Sequence, residues 1–283
     1  MVYISDKEID DFISEDIPYF DLTSSVLRIS GIRGKIEFYT RNDTVLSGTE
    51  EVCRIFNRFK LVPKIFNPSG SEISAASVFL SAEGNSENIH QAWKVSLNIL
   101  EYCSGISTKT KRLIDAAKKN SPHIEILTTR KSFPGTKALV TKSILSGGAL
   151  PHRLGLSETI LVFKEHLAFA GGIDKFAENI HLYKKRAPEK KIIAETENLE
   201  DALKLVENGI DGIQFDKVSP NNLSEYVHAL KAIRNDIVLL AAGGITDENV
   251  SAFALSGVDG IVTSSLFHAK PADMGVKITS TLF

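Results

Sequence analysis

The residues best suited to chemistry lie in two basic segments, Thr129-Arg130-Lys131-Ser132-Phe133-Pro134-Gly135-Thr136 and Gly147-Gly148-Ala149-Leu150-Pro151-His152-Arg153. Each sets cationic or cationisable side chains beside turn-forming Gly or Pro, the pattern of an anion site rather than of an evenly solvated surface. Arg offers a planar fork that holds a carboxylate through two charge-assisted hydrogen bonds, whereas Lys is a compact point charge suited to phosphate. Arg130 and Lys131 stand just ahead of a predicted helix over 137–145, where cations are unfavourable against the helix dipole, so local stability does not account for them. His152 and Arg153 sit in an otherwise apolar stretch. A part-buried guanidinium there calls for an anionic ligand or for a carboxylate neighbour, for which Glu158 is the candidate.

Two acids and a glycine pair extend the set. Glu195 and Asp216 stand at the ends of predicted strands and point to the same side as the basic loops. Carboxylates there are suited to holding magnesium, directly or through its waters, to stabilising a cationic transition state, or simply to pairing with Arg130, Lys131 or Arg153. Ala241-Ala242-Gly243-Gly244-Ile245-Thr246 follows another strand and precedes a helix predicted over 247–256, with Asp247 near its start. The free backbone N–H groups of Gly243 and Gly244, with the hydroxyls of Thr263-Ser264-Ser265 beyond them, make a phosphate site.

The elements that must carry these groups fall into two regions. Before about residue 108, strand-like alternation over 34–40 and 74–80 is followed by a helix beginning after Glu87. On that helix Ile89, Ala92, Trp93, Ser96, Leu97, Leu100 and Cys103 share one face and Lys94, Asn98 and Glu101 the other. This is an α+β region. From Ile124 onward, short apolar strands at 124–127, 159–163, 192–195, 212–215, 238–241 and 260–263 alternate with amphipathic helices such as 199–207, the rhythm of βα units with a parallel sheet. Reactive groups at successive strand ends favour a (β/α) barrel. No Gly-x-Gly-x-x-Gly follows a first strand, which weighs against a doubly wound dinucleotide fold.

Composition narrows the partners. With 283 residues, 43% of them apolar, and a net charge of −2, the chain has material for one or two cores and lacks the basic face that nucleic acid or a membrane surface selects. Cys53 and Cys103 are too few and too far apart for a disulfide framework or a structural zinc site. An acidic N-terminus and the lack of any apolar run approaching about 18 residues predict a cytoplasmic protein that binds small molecules.

Taken in order along nearly the whole chain, Glu15-Asp16, Asp21-Leu22-Thr23, Thr129-Arg130-Lys131, Pro134-Gly135, His152-Arg153-Leu154-Gly155-Leu156, Glu195-Thr196-Glu197-Asn198-Leu199, Asp216, Gly243-Gly244 and His268 resemble the quinolinate phosphoribosyltransferase (nicotinate-nucleotide pyrophosphorylase) family. The two basic segments are most similar to its ModD branch, whose members are encoded with molybdate transport systems. The resemblance implies an N-terminal α+β sandwich-like domain over 1–108, completed by 269–283, and an incomplete (β/α) barrel over 109–268. It implies transfer of phosphoribose from phosphoribosyl pyrophosphate, with magnesium, to a pyridine nitrogen, and a homodimer in which one subunit's N-terminal domain covers its partner's barrel mouth. Arg130, His152 and Arg153 would face the acceptor's carboxylates, and Lys131 the acceptor or phosphates. Glu195 and Asp216 would serve ribose, magnesium and developing positive charge. Gly243, Gly244, Ser264 and His268 would hold phosphate, and Lys94 stands where the family has an arginine that reaches across the dimer. Phe163 replaces a substrate-facing lysine, and Phe133, Pro151, Ala242 and Ser264 are further departures. The acceptor pocket is thereby expected to be less cationic and more apolar than a dicarboxylate prefers. The alternative readings are an anion-binding accessory protein of molybdate metabolism that has lost turnover, and an NAD-salvage pyrophosphorylase for nicotinate itself, with which a less cationic pocket is compatible.

Overall fold

The computed structural model describes residues 2–281. In chain order the first elements are α1 (Asp6–Asp16), α2 (Leu22–Leu27), β1 (Arg33–Thr40), β2 (Thr44–Val45), α3 (Thr49–Arg58), β3 (Val62–Ile65), β4 (Glu72–Ile73), β5 (Val78–Asn85) and the long α4 (Ser86–Lys118). They are followed by β6 (Glu125–Thr128), α5 (Lys137–Ser146), β7 (Leu150–Pro151), β8 (Ile160–Val162), α6 (Lys164–Ala170), α7 (Gly172–Glu178), α8 (Ile180–Arg186), β9 (Ile192–Thr196) and α9 (Leu199–Glu207). β10 (Gly212–Asp216), α10 (Pro220–Ile233), β11 (Val238–Ala242), α11 (Val250–Leu255), β12 (Gly260–Thr263), a 3-10 turn (Ser265–His268) and β13 (Met274–Ser280) complete the chain.

The described residues form two compact units, one comprising the chain up to Lys111, Phe133–Gly148 and the segment from Phe267, the other Arg112–Ser132 and Ala149–Leu266. The first is α+β. In β1 the residues Gly34, Ile36, Phe38 and Thr40 are buried and alternate with more exposed ones, as a strand with one face on a core requires. β1 pairs antiparallel with both β5 and β13, in the sheet order β13-β1-β5-β3. Helix α3 lays Val52, Ile55 and Phe56 on the core that Ile36, Phe38, Phe79 and Leu80 form. The predicted strand over 74–80 does not form as one piece. Ser77 N–H donates to the Ser74 carbonyl at 3.2 Å and Ala76 adopts φ 65°, so a turn separates β4 from β5.

The second unit is an open, curled sheet of seven strands in the order β7-β6-β12-β11-β10-β9-β8, an incomplete (β/α) barrel. Every pairing in it is parallel. Its strands read as continuous apolar runs because helices cover one face and the barrel interior the other. Register defines the inner face: Glu195 aligns with Gln214, Gln214 with Leu240, Asp216 with Ala242, and Ala242 with Val262. Leu161, Ile193, Leu240, Ala242 and Val262 pack there with Leu127, Phe163 and Val238. Gly212 and Gly260 leave room for this packing, since a Cβ on Gly212 would lie 2.9 Å from the Val238 carbonyl oxygen.

Candidate active site

The ends of the parallel strands carry the side chains that sequence spacing singles out as candidates for a barrel site. β6 ends at Thr128, and Thr129 N–H donates to the Thr263 carbonyl at 3.2 Å, so the loop bearing Arg130 and Lys131 leaves the sheet beside β12. Both side chains are exposed. On the other side of β6, His152 N–H donates to the Thr128 carbonyl at 3.0 Å and carries the β7 pairing one residue past Pro151. The proline is tolerated because β7 is an edge strand.

His152 and Arg153 are half-buried, and the His152 Nε2 atom is buried with no hydrogen-bond partner. Burial, then the neighbouring Arg153 charge, holds the His152 imidazole below its ordinary pKa and therefore neutral at physiological pH. Burial, then Arg130, lowers Arg153 in the same way. The three side chains thus form one basic cluster. Among the described residues no ion pair joins Glu158 to Arg153; the Glu158 carboxylate accepts from the Leu154 backbone N–H. The guanidinium lies instead over the Phe163 ring, 5.6 Å from the centroid, a cation–π contact. Phe163 N–H donates to His166 Nδ1 at 3.0 Å, and the two rings stack at 5.8 Å. Lys164 begins α6 and is exposed, so it has left the strand and does not substitute for a cation at 163.

The two acids share the inner face at neighbouring strand ends. The Glu195 carboxylate accepts from Gln214 Nε2 at 2.7 Å. Burial is the largest influence on Glu195 and raises its pKa. The Gln214 bond opposes that rise, while Asp216, Glu165 and Glu197 add to it. Asp216 has Lys217 Nζ at 3.8 Å as its nearest cation, so neither acid is spent on Arg130, Lys131 or Arg153. Gly243 is required by close approach: its φ is 88°, and a Cβ would stand 2.6 Å from both Asp216 Oδ1 and Lys217 N. Gly244, with φ 70°, faces open space. Thr263 Oγ1 donates to the Ile245 carbonyl at 2.7 Å, which ties the loop bearing half-buried Ser264 to the glycine loop.

The helix predicted from Asp247 begins only at Val250 and is six residues long. Asn249 accepts from Thr246 N–H at 2.8 Å and donates to the Gly244 carbonyl at 3.0 Å, holding 246–249 as a turn. The open Gly243-Gly244 backbone therefore belongs to a loop rather than to a helix start. Gln214 and His166 were not singled out by spacing. Gln214 had one signal, a polar residue two before Asp216 and so on the same inner face of an apolar strand. Lys94 and His268 belong to the first unit, where Lys94 is exposed on α4 with Nζ 5.7 Å from the Trp93 ring centroid.

Among the described residues no group of three or more His, Cys, Asp or Glu converges in a way that could hold a metal ion. The donors present are two carboxylates and the buried Gln214 Oε1, which has no partner. That set does not fit a dehydrated, protein-caged cation. It fits magnesium, which keeps several waters and takes one or two carboxylates together with substrate phosphates.

The sequence profile for the C-terminal domain of quinolinate phosphoribosyl transferase matches residues 106–277, and the profile for the N-terminal domain matches 21–104. The chain belongs to the quinolinate phosphoribosyltransferase family. Among curated members of that family it is 34% identical over 278 residues to the ModD protein of Pasteurella multocida, covering 98% of this chain and 99% of the relative. A ModD protein of Escherichia coli O157:H7 is 31% identical over 278 residues, with 98% of each chain covered. The quinolinate phosphoribosyltransferase fold is equally plain in solved structures. The nicotinate-nucleotide pyrophosphorylase of Ehrlichia chaffeensis superimposes with TM-score 0.88 at 25% identity, over 98% of this chain and 99% of that one. That of Francisella tularensis gives 0.89 at 23% identity over 98% of each.

Proposed function

We propose that this protein transfers phosphoribose from phosphoribosyl pyrophosphate to the ring nitrogen of a pyridine carboxylate, quinolinate or a relative, and releases pyrophosphate. One observation supports the reading: in the strand order of a family barrel, Arg130, His152 and Arg153 follow the ends of β6 and β7, and Glu195 and Asp216 stand at the ends of β9 and β10 on the other side of β12 and β11. A reaction that joins an anionic acceptor to a sugar carbon gaining positive charge needs both.

In this reading Arg130 and Arg153 bind the acceptor's carboxylate, since guanidinium forks make two parallel bonds to it. Neutral His152 supplies a hydrogen bond, and Lys131 meets the acceptor or a phosphate. Glu195 and Asp216 hold the ribose hydroxyls and stabilise positive charge at the anomeric carbon. They are also the residues that would hold magnesium through its waters; when bound, the ion neutralises charge building on the departing pyrophosphate. Gly243, Gly244 and Ser264 offer backbone N–H groups and a hydroxyl to the 5′-phosphate. Lys94 and His268, from the N-terminal region and the C-terminal segment, act in a homodimer whose subunits share active sites. We assign residues 1–108 with 269–283 to the covering domain and 109–268 to the catalytic one. No helix among the described residues is long and apolar enough to cross a membrane, and the free thiols of Cys53 and Cys103 agree with a cytoplasmic site of action.

The test is direct. With phosphoribosyl pyrophosphate, magnesium and a panel of pyridine carboxylates, the protein releases pyrophosphate with at least one acceptor. Asp216→Asn lowers kcat by about 10²–10³-fold, the loss typical of one electrostatic contact to a transition state. An accessory anion binder would instead hold its ligand as well or better after that substitution, because a repelling carboxylate is gone.

A further inference from the structure

Strand β8 has two faces, and only one belongs to the barrel interior. Leu161 and Phe163 point inward with Ile193, so Ile160 and Val162 point outward, with Ile192 aligned beside Ile160. In a βα unit an amphipathic helix covers the outer face. Here the cover is α6, α7 and α8, seven residues each and joined end to end through Gly171 and Asn179. Helices of about two turns present no continuous apolar stripe to the strand. α6 buries no residue, α7 buries Phe176 and Ala177, and α8 buries Ile180. A cavity of about 470 Å³ is left between the outward side chains of β8 and β9 and this broken cover, within the range of roughly 300–1,000 Å³ for small-molecule sites.

The cavity is apolar with a few polar groups. Phe176 and Tyr183 form a flat wall, their rings stacked with centroids 5.4 Å apart at 17°. Ile160, Val162 and Ile192 form the floor. Thr159, directly before β8, and Arg186, the last residue of α8, line the same cavity. Thr159 Oγ1 is buried with no hydrogen-bond partner, a cost that a polar ligand atom removes. Lys184 takes Asp211 at 2.6 Å and Lys190 takes Glu189 at 3.6 Å, and among the described residues no ion pair involves Arg186. Arg153 also reaches the rim, but its guanidinium is stacked on the inward Phe163 ring. The free cation and the unpartnered hydroxyl therefore meet an anionic group, and the floor and wall meet an apolar body.

We propose that this cavity is a second ligand site, separate from the barrel mouth, for a small amphipathic monocarboxylate. The carboxylate takes the Arg186 fork and the Thr159 hydroxyl, and the apolar body lies on Ile160 and Ile192 against the Phe176 and Tyr183 rings. The experiment is titration calorimetry on the full chain with 3-phenylpropanoate as the probe, 3-phenylpropanamide as its neutral counterpart and acetate as an anion without the apolar body. The probe is expected to bind saturably, with the amide and acetate each weaker by about tenfold or more. R186A is expected to weaken the probe by about tenfold or more, the loss of one charge-assisted contact, with the melting temperature little changed because Arg186 is exposed at a helix end. I160F, which fills the cavity from its floor, is expected to abolish binding. R130A is expected to leave the affinity within about twofold, and saturating pyridine-3-carboxylate to leave the probe bound. Absence of saturable binding at millimolar probe, or binding that R186A leaves intact, overturns the proposal. Loss of binding in R130A, or displacement by pyridine-3-carboxylate, places the probe in the barrel mouth and overturns it equally.

Discussion

At the scale of the residue, Glu195 works against the stability of the fold that holds it. Burial raises its pKa, so the folded state disfavours the charged form. The resulting penalty is absent below the unfolded-state value of about 4.3 and is fully present once pH rises past the folded-state value. Glu195→Gln is therefore expected to raise the melting temperature near neutral pH, with a gain that vanishes in acid, while pyrophosphate release falls. Thermal melts at several pH values check the first part; a variant less stable than wild type at pH 7.5 would contradict it. His152 carries the opposite sign. Burial and Arg153 lower its pKa, so protonation favours the unfolded chain, and stability is lost as pH falls through about 6.5. His152→Gln should flatten the melting curve's pH dependence in that window, and an unchanged dependence would show that His152 is not the group responsible.

At the scale of the element, the first unit anchors helix α5 through charge. Lys142 reaches Glu50 at 2.6 Å and also bonds Glu51, with the Lys142 and Glu51 side chains only 12% and 6% exposed. Burial works to raise Glu50, but bonds from Lys142 and Ser69 outweigh it and hold the carboxyl at about 2. Lys142→Met leaves these acids without their cation, and denaturant unfolding should register a loss of about 3–5 kcal/mol; a loss under about 1 kcal/mol would contradict the anchoring role. Gly243→Ala should cut turnover through collision with Asp216 and Lys217, with a melting temperature little changed if the strain stays within the loop. Elements were legible where local signals agreed. Helix 199–207 forms as read because Asn198 caps it by accepting from Asp201 N–H at 2.9 Å, and β12 occupies 260–263 as read. The late start of α11 was not legible, because Asn249 bonds to residues whose backbone path only the folded loop defines. The site divides likewise. Glu195 and Asp216 stand at strand ends, as spacing predicts, whereas the Gln214 bond to Glu195 depends on cross-strand register and the Arg153–Phe163–His166 stack on side-chain direction.

At the scale of the whole molecule, Asp216 lies in one compact unit and Lys94 and His268 in the other. The homodimer with shared active sites that we propose makes a distinctive prediction. Lys94→Ala and Asp216→Asn, each inactive alone, should regain about a quarter of wild-type activity when unfolded together and refolded, because half the dimers are mixed and each has one intact site. No recovery, with dimers demonstrably exchanged, would mean that Lys94 serves its own subunit's site and not its partner's. The central claim needs less than this. Purified protein is mixed with phosphoribosyl pyrophosphate, magnesium and pyridine carboxylates, and pyrophosphate is measured against time. The account predicts release that depends on both magnesium and acceptor and that Asp216→Asn reduces by about 10²–10³-fold; no acceptor-dependent pyrophosphate under any of these conditions would contradict it.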